Sequence, residues 1–141
     1  MRMLERLIEI RRWRILFFFG FDARDKERIL YALVWAKAPA SIVHKVSGNI
    51  SAGDLNEGFC YSNPARRVSV VGVGRTDSGP EFLDTAVHEI AHIALHIAEE
   101  DGIDPYSEEL AYLMGDISHG ISDVVCRMSC PECRSKKHTE R

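Results

Sequence analysis

The stretch SGPEFLDTAVHEIAHIALHIAEEDG, Ser78 to Gly102, decides how this chain is read. Ser78-Gly79-Pro80-Glu81 has the S-x-x-E form of a helix start, with Ser78 as N-cap and Pro80 in the first turn. Leu83, Val87, Ile90, Ala94 and Ile97 then recur at helical spacing, a stripe expected to face the core. Gly102, after Glu99-Glu100-Asp101, is a C-terminal stop. The pattern predicts a helix from about Gly79 to Glu100, with His88 and His92 beside the stripe on a flank that can line a cleft.

Inside that helix His88-Glu89-Ile90-Ala91-His92 has the form H-E-x-x-H. Histidines four residues apart project from one helix face, about 6 Å apart along the axis. Both imidazoles can therefore reach one Zn²⁺ at bonds of about 2.0–2.1 Å. Glu89 stands between them, where a carboxylate can take a proton from metal-bound water. Outside a folded cleft the same pentapeptide is two solvated histidines. His96 continues the four-residue series but lies about 12 Å along the axis from His88, too far to share one ion with it. It reads as a surface or outer-shell residue. Asp84, one turn before His88, is a candidate to fix an imidazole tautomer.

Working outward, Met3 to Ile10 reads as a short helical segment with Leu4, Leu7 and Ile8 on one side. Trp13 to Phe19 is a continuous apolar run, as expected of a strand buried on both faces, and Gly20 to Asp22 ends it. Asp22 is a good N-cap for a helix carrying Ile29, Leu30, Leu33 and Val34 and stopping before Pro39. Ile42 to Val46 reads as a second strand and Ser47 to Gly58 as a polar loop. Phe59–Ser62 and Val68–Val73 flank the turn Asn63-Pro64-Ala65-Arg66 and predict a hairpin. Gly72-Val73-Gly74 lacks the rest of a dinucleotide fingerprint. Asp104 and Pro105 open a last helix with Leu110, Leu113, Met114, Ile117 and Ile121 as its apolar positions.

A chain of 141 residues fits one domain over 1–141, with about 126–141 a cysteine-containing tail. An apolar fraction of 45% and a charged fraction of 28% are those of a globular protein. A net charge of −3 argues against non-specific nucleic-acid binding, and no run approaches the roughly 20 apolar residues that span a bilayer. Arg11, Arg12 and Arg14 before Ile15–Phe19 faintly imitate a signal peptide, but charge follows at once and no small-residue cleavage site appears. The expectation is a cytoplasmic protein with reduced thiols.

A catalytic zinc takes three protein ligands and keeps a place for water. Glu108 and Glu109 follow His92 by 16 and 17 residues. That separation resembles the gluzincin arrangement, in which a Glu from the next helix completes the site. Glu108-Glu109-Leu110-Ala111-Tyr112 is similar to the E-x-x-A-Y pattern of small phage and prophage zincin-like proteins. Thr85 to Glu89 and Tyr112 to Ile117 add to the likeness, which covers about Phe59 to Asp116. The resemblance implies a zincin-like α+β fold, a small mixed sheet packed against three main helices, with the motif helix among them. It also implies Zn²⁺ held by His88, His92 and Glu108, with Glu89 as general base and a peptide or protein as substrate. In strictly antiparallel helices turning near Ile103, the residue level with Ile90 would be near Asp116, so Asp116 and Glu109 remain alternatives to Glu108. Tyr112, one turn after Glu108, is a candidate donor to a tetrahedral oxyanion, although a Tyr on such a helix more often packs.

Cys126, Cys130, Cys133 and His138 could form a second, structural zinc site, yet one C-x-x-C is weak and the spacing to His138 is unusual. Reduced surface cysteines are the simpler reading, and Cys60 reads as a small buried hydrophobe. Beside the zinc metallopeptidase reading stand a zincin-like domain that only binds, and a zinc-stabilised interaction protein built on the cysteine tail.

Overall fold

The computed structural model describes residues 2–54 and 58–130. A four-stranded mixed sheet, β1 (Leu4–Ile10), β2 (Trp13–Phe21), β3 (Phe59–Asn63) and β4 (Val68–Gly74), has the spatial order β1-β2-β4-β3. β2 and β4 run parallel and the other neighbours antiparallel. Five α-helices are described: α1 (Lys26–Trp35), α2 (Ala40–Ser51), α3 (Gly79–Asp101), α4 (Glu108–Gly120) and α5 (Ser122–Ser129). The fold is therefore α+β, as expected. None of these helices is long and apolar enough to cross a membrane.

β2 is buried on both faces, as its unbroken apolar run requires. Trp13, Ile15, Phe17 and Phe19 join Val71, Val73 and the buried faces of α3, α4 and α5 in one core. Phe18 and Phe21 join Ile29, Leu33, Val46, Ile50, Val68 and Val70 in a second core on the α1–α2 side. Phe21 shares a side with Phe18 because the pairing with β4 shifts between Phe19 and Phe21, at Gly20. The strand therefore runs through Gly20, where the sequence suggests a stop. Gly72, in the motif too incomplete to bind a dinucleotide, lies in β4 beneath the rings of Phe59 and Phe21.

Two segments differ in type from the sequence expectation. Residues 3–10 form the strand β1, not a helical segment. Leu4, Ile8 and Ile10 alternate with Glu5 and Glu9 and pack on the α3–α5 core, a period of two that the charged positions partly mask. The turn into β2 is Arg11-Arg12, both left-handed at φ 54° and 63°, a conformation in which two-residue hairpins usually carry Asn or Gly. Arg67 holds this turn by donating to the Arg11 carbonyl at 2.6 Å, while Arg11 and Arg67 both bind Asp101. Residues 42–46, expected as a strand, lie within α2. Ile42, Val43, Val46 and Ile50 make a helical stripe against the second core, and the helix follows directly on Pro39. Five β-branched and polar residues are too short a window to distinguish the two periods.

Candidate metal centre

α3 starts and ends where the sequence places it. Ser78 Oγ accepts from the Glu81 amide at 3.2 Å, and Glu81 reaches back to the Asp77 amide at 3.1 Å. Gly102 closes the helix in the left-handed conformation at φ 70°. The buried stripe is offset from the expected one: Phe82, Ala86, Ile90, Ile93 and Ile97 face the core, while Leu83 and Val87 are 45% and 50% exposed. The offset aims Glu89 inward beside the histidines.

His88 and His92 project together from the other side of α3, with ring centroids 4.7 Å apart and Nε2 atoms 3.1 Å apart. Two donors at about 2.0–2.1 Å from one tetrahedral ion lie about 3.3 Å from each other. The pair thus has the separation of two zinc ligands. Glu89 is 4% exposed. A Cβ at Gly58 would stand 2.5 Å from Glu89 Oε2 and 2.8 Å from the Gly72 carbonyl oxygen, so only glycine lets the chain pass this carboxylate. Burial raises the Glu89 pKa above the usual carboxylate range, and the charge of His88 opposes that shift.

These side chains line a cleft of about 400 Å³ between α3, β3 and α2. Ile42, Lys45, Val46 and Asn49 of α2 form the facing wall, so the segment expected as a strand contributes to the cleft as helix. β3 is an outer strand of the sheet, and Gly58 to Tyr61 run along the cleft. His96 lies in the same cleft and is half-buried, not a plain surface residue. Its Nδ1 is 2.6 Å from Ser62 Oγ and 3.9 Å from Cys60 Sγ. Burial lowers the His96 pKa, with His92 adding to the effect and Glu99 opposing it. Burial and the charge of Glu89 push the Cys60 thiol up to about 12, against a hydrogen bond from Ser62. Cys60 is therefore a protonated small side chain, close to the hydrophobe expected of it. His96 takes the outer-shell place that was one of its two expected readings, while Ser62 and Gly58 join the site without having been singled out for it. A serine at 69 in the otherwise apolar run of β4, and an indole N–H at 13 that needs a partner, were the signals available.

The acidic residues expected from the next helix stand elsewhere. α4 begins at Glu108, capped by Ser107 (Ser107 Oγ accepts from the Leu110 amide at 3.3 Å), three residues later than Asp104-Pro105 suggests. Arg11 binds Asp101 Oδ2 at 3.0 Å and Glu109 Oε2 at 3.2 Å. The start of α4 is thus level with the last turn of α3, nine residues beyond His92, or about 13 Å along the axis. α4 also packs on β1, at the sheet edge opposite β3. Glu108, Glu109 and Asp116 are exposed and none lines the cleft. Tyr112 is 70% exposed on α4 and lines no part of it either. Among the described residues no three His, Cys, Asp or Glu side chains converge as a metal-holding group. The donor set fits zinc with two imidazoles, and among the described residues no third ligand stands beside them. Asp84 is exposed one turn before His88. Cys126 is exposed on α5 and Cys130 follows its last turn; Cys133 and His138 lie outside the described residues.

A scan against protein-family models finds no match, and searches of curated proteins and of solved structures find none either.

Proposed function

We propose that the chain is a zincin-like metallopeptidase that binds an extended peptide along β3 and hydrolyses it beside His88, Glu89 and His92. The observation that carries this reading is the pair of Nε2 atoms 3.1 Å apart with a buried carboxyl between their helical positions, all on one cleft wall. His88 and His92 would hold Zn²⁺, which when bound supplies a polarised carbonyl and an acidified water. Glu89 would act as the general base, taking a proton from the attacking water at its carboxylate and returning it to the leaving amine. Burial raises the Glu89 pKa, the direction that helps a carboxylate accept a proton. The outer edge of β3 offers backbone groups to an extended substrate by strand addition. Metal content of protein purified without added zinc, followed by a peptide-cleavage assay of Glu89→Gln, tests the reading. The variant should keep zinc and lose hydrolysis. Retained hydrolysis would remove Glu89 from the mechanism.

A second reading, a zincin-like module that binds without cleaving, is favoured by one observation: no acid from α4 stands with the two imidazoles. A stoichiometric zinc content with no cleavage of any peptide in a mixed library would select it.

A further inference from the structure

A file of polar groups crosses the sheet at one level and ends in the cleft. Trp13 Nε1 donates to Ser69 Oγ at 2.9 Å, Ser69 Oγ lies 2.6 Å from Ser62 Oγ, and Ser62 Oγ lies 2.6 Å from His96 Nδ1. β2, β4 and β3 supply the first three members on the face that α3 covers, and Ser62 and Ser69 are paired across the β3–β4 ladder. Trp13 and Ser69 are fully buried.

The direction of this chain follows from its first member. An indole N–H can only donate, so Ser69 Oγ accepts there and its own proton is left for Ser62. Ser62 then accepts from Ser69 and has one proton, which goes to the imidazole Nδ1 at 2.6 Å in preference to the neighbouring Cys60 sulfur, a protonated thiol and a weak acceptor. In the reverse order Ser69 would receive two donors, and its own proton would need a third partner. Among the described residues Ser69 Oγ has no other hydrogen bond. The forward order therefore satisfies every buried group, as buried polar groups require. An imidazole that accepts at Nδ1 carries its proton on Nε2, and among the described residues no hydrogen bond engages that nitrogen.

We propose that His96 is a fixed hydrogen-bond donor to a carbonyl oxygen of a peptide in the cleft, held as the Nε2–H tautomer by the Trp13–Ser69–Ser62 chain. The proposal rests on the peptide-binding half of the reading above and is independent of cleavage. The hydroxyl chain explains why Ser62 and Ser69 occupy otherwise apolar strand faces, and it gives the side of the cleft away from His88 a polar anchor that needs no metal.

Long-range ¹H–¹⁵N correlation on the full chain at neutral pH reads the tautomer directly. The wild type should show a single Nε2–H form of His96, and Ser62→Ala should turn it into a mixture. A proton on Nδ1 in the wild type, or an unchanged tautomer in Ser62→Ala, overturns the proposal. Titration with acetylated, amidated tetra-alanine supplies the second readout. Binding should shift the His96 Nε2 resonance and weaken about three- to tenfold in His96→Leu, the worth of one hydrogen bond. In His96→Gln, which keeps an N–H near that position, it should stay within about twofold. No binding to the wild type, or equal binding by His96→Leu, also overturns the proposal. Peptide that engages His96 but is never cleaved by zinc-loaded protein leaves the donor assignment standing and removes the peptidase reading.

Discussion

The two flanks of α3 are built for different work. Toward α2 and β3 the helix presents His88, His92 and His96 to a cleft. Toward α4 and α5 it presents Ile90, Ala94 and Ile97 to a core, and its last turn is tied down by Arg11 and Arg67 on Asp101. Histidine, serine and a buried carboxylate gather on one flank; hydrocarbon and ion pairs gather on the other. The contrast teaches that adjacency in sequence does not choose the flank. Glu108 follows the motif closely, yet α4 turns back onto the packing side.

Substitutions on the two sides should therefore separate stability from metal binding. The largest expected effect is on the core. Phe82 is fully buried, with its ring centroid 6.0 Å from that of Phe19. Phe82→Ala should cost about 3–5 kcal/mol of unfolding free energy in a urea titration. A loss under about 1 kcal/mol would mean the α3–sheet contact is looser than described. On the other flank His92→Ala should leave metal-free stability within about 0.5 kcal/mol, because the ring is exposed. Its zinc affinity should fall by more than the roughly 10- to 100-fold that outer-shell changes cost. Wild-type affinity in that variant would separate the imidazole pair from any metal role.

Asp101 allows a smaller test at the end of the packing flank. Hydrogen bonds from Arg67, aided by Arg11, hold its carboxyl below the usual carboxylate range against the opposing effect of burial. A carboxylate with a depressed folded pKa stabilises above its unfolded pKa, and that stability is lost as pH falls through the folded value. Asp101→Asn should therefore destabilise by about 1–2 kcal/mol near neutrality, discounted for the partly exposed arginines. The difference should shrink once the pH drops below about 4, as the wild-type carboxyl protonates. An equal difference at acid and neutral pH would assign the effect to packing instead of charge. The left-handed Arg11-Arg12 turn depends on the same contacts, so loss of amide protection there should accompany the change.

What the sequence made legible was local and periodic. Ser78, Pro80 and Gly102 bound α3 because capping is short-range chemistry, and the run from Trp13 to Phe19 could only be a strand buried on both faces. The hairpin at Asn63-Pro64 was readable for the same reason. β1 escaped because its turn uses Arg-Arg stabilised from 56 residues away by Arg67, a contact no local window contains. α2 escaped because Ile42 to Val46 fit both periods until Ile50 is counted in. Within the candidate site, the pairing of the imidazoles followed from helix spacing alone, while the burial of Glu89 came from an offset of the stripe that the pattern did not show. Ser62, Ser69 and Trp13 depend on strand register, which the sequence does not state, and the position of Glu108 depends on which side of α3 the chain returns.

That last dependence yields the smallest expected effect and the most discriminating one. With Glu109 bridged through Arg11 to Asp101, the carboxylate of Glu108 begins a helix anchored at the far end of α3. Reaching the imidazoles would require α4 to give up that bridge and its packing of Leu113 and Ile117 in the core. Each such side chain contributes about 1.5–3 kcal/mol of burial, so the displacement is expensive relative to what one carboxylate ligand returns. Glu108→Gln should accordingly leave zinc affinity within about twofold, a change below about 0.4 kcal/mol, as read by competition with a chelator of known strength. A loss of tenfold or more would mean that metal binding draws α4 across to the cleft flank, and the gluzincin ligand set would then hold in the loaded protein. Run beside His92→Ala, the measurement decides whether the two flanks of α3 stay separate when the ion is bound.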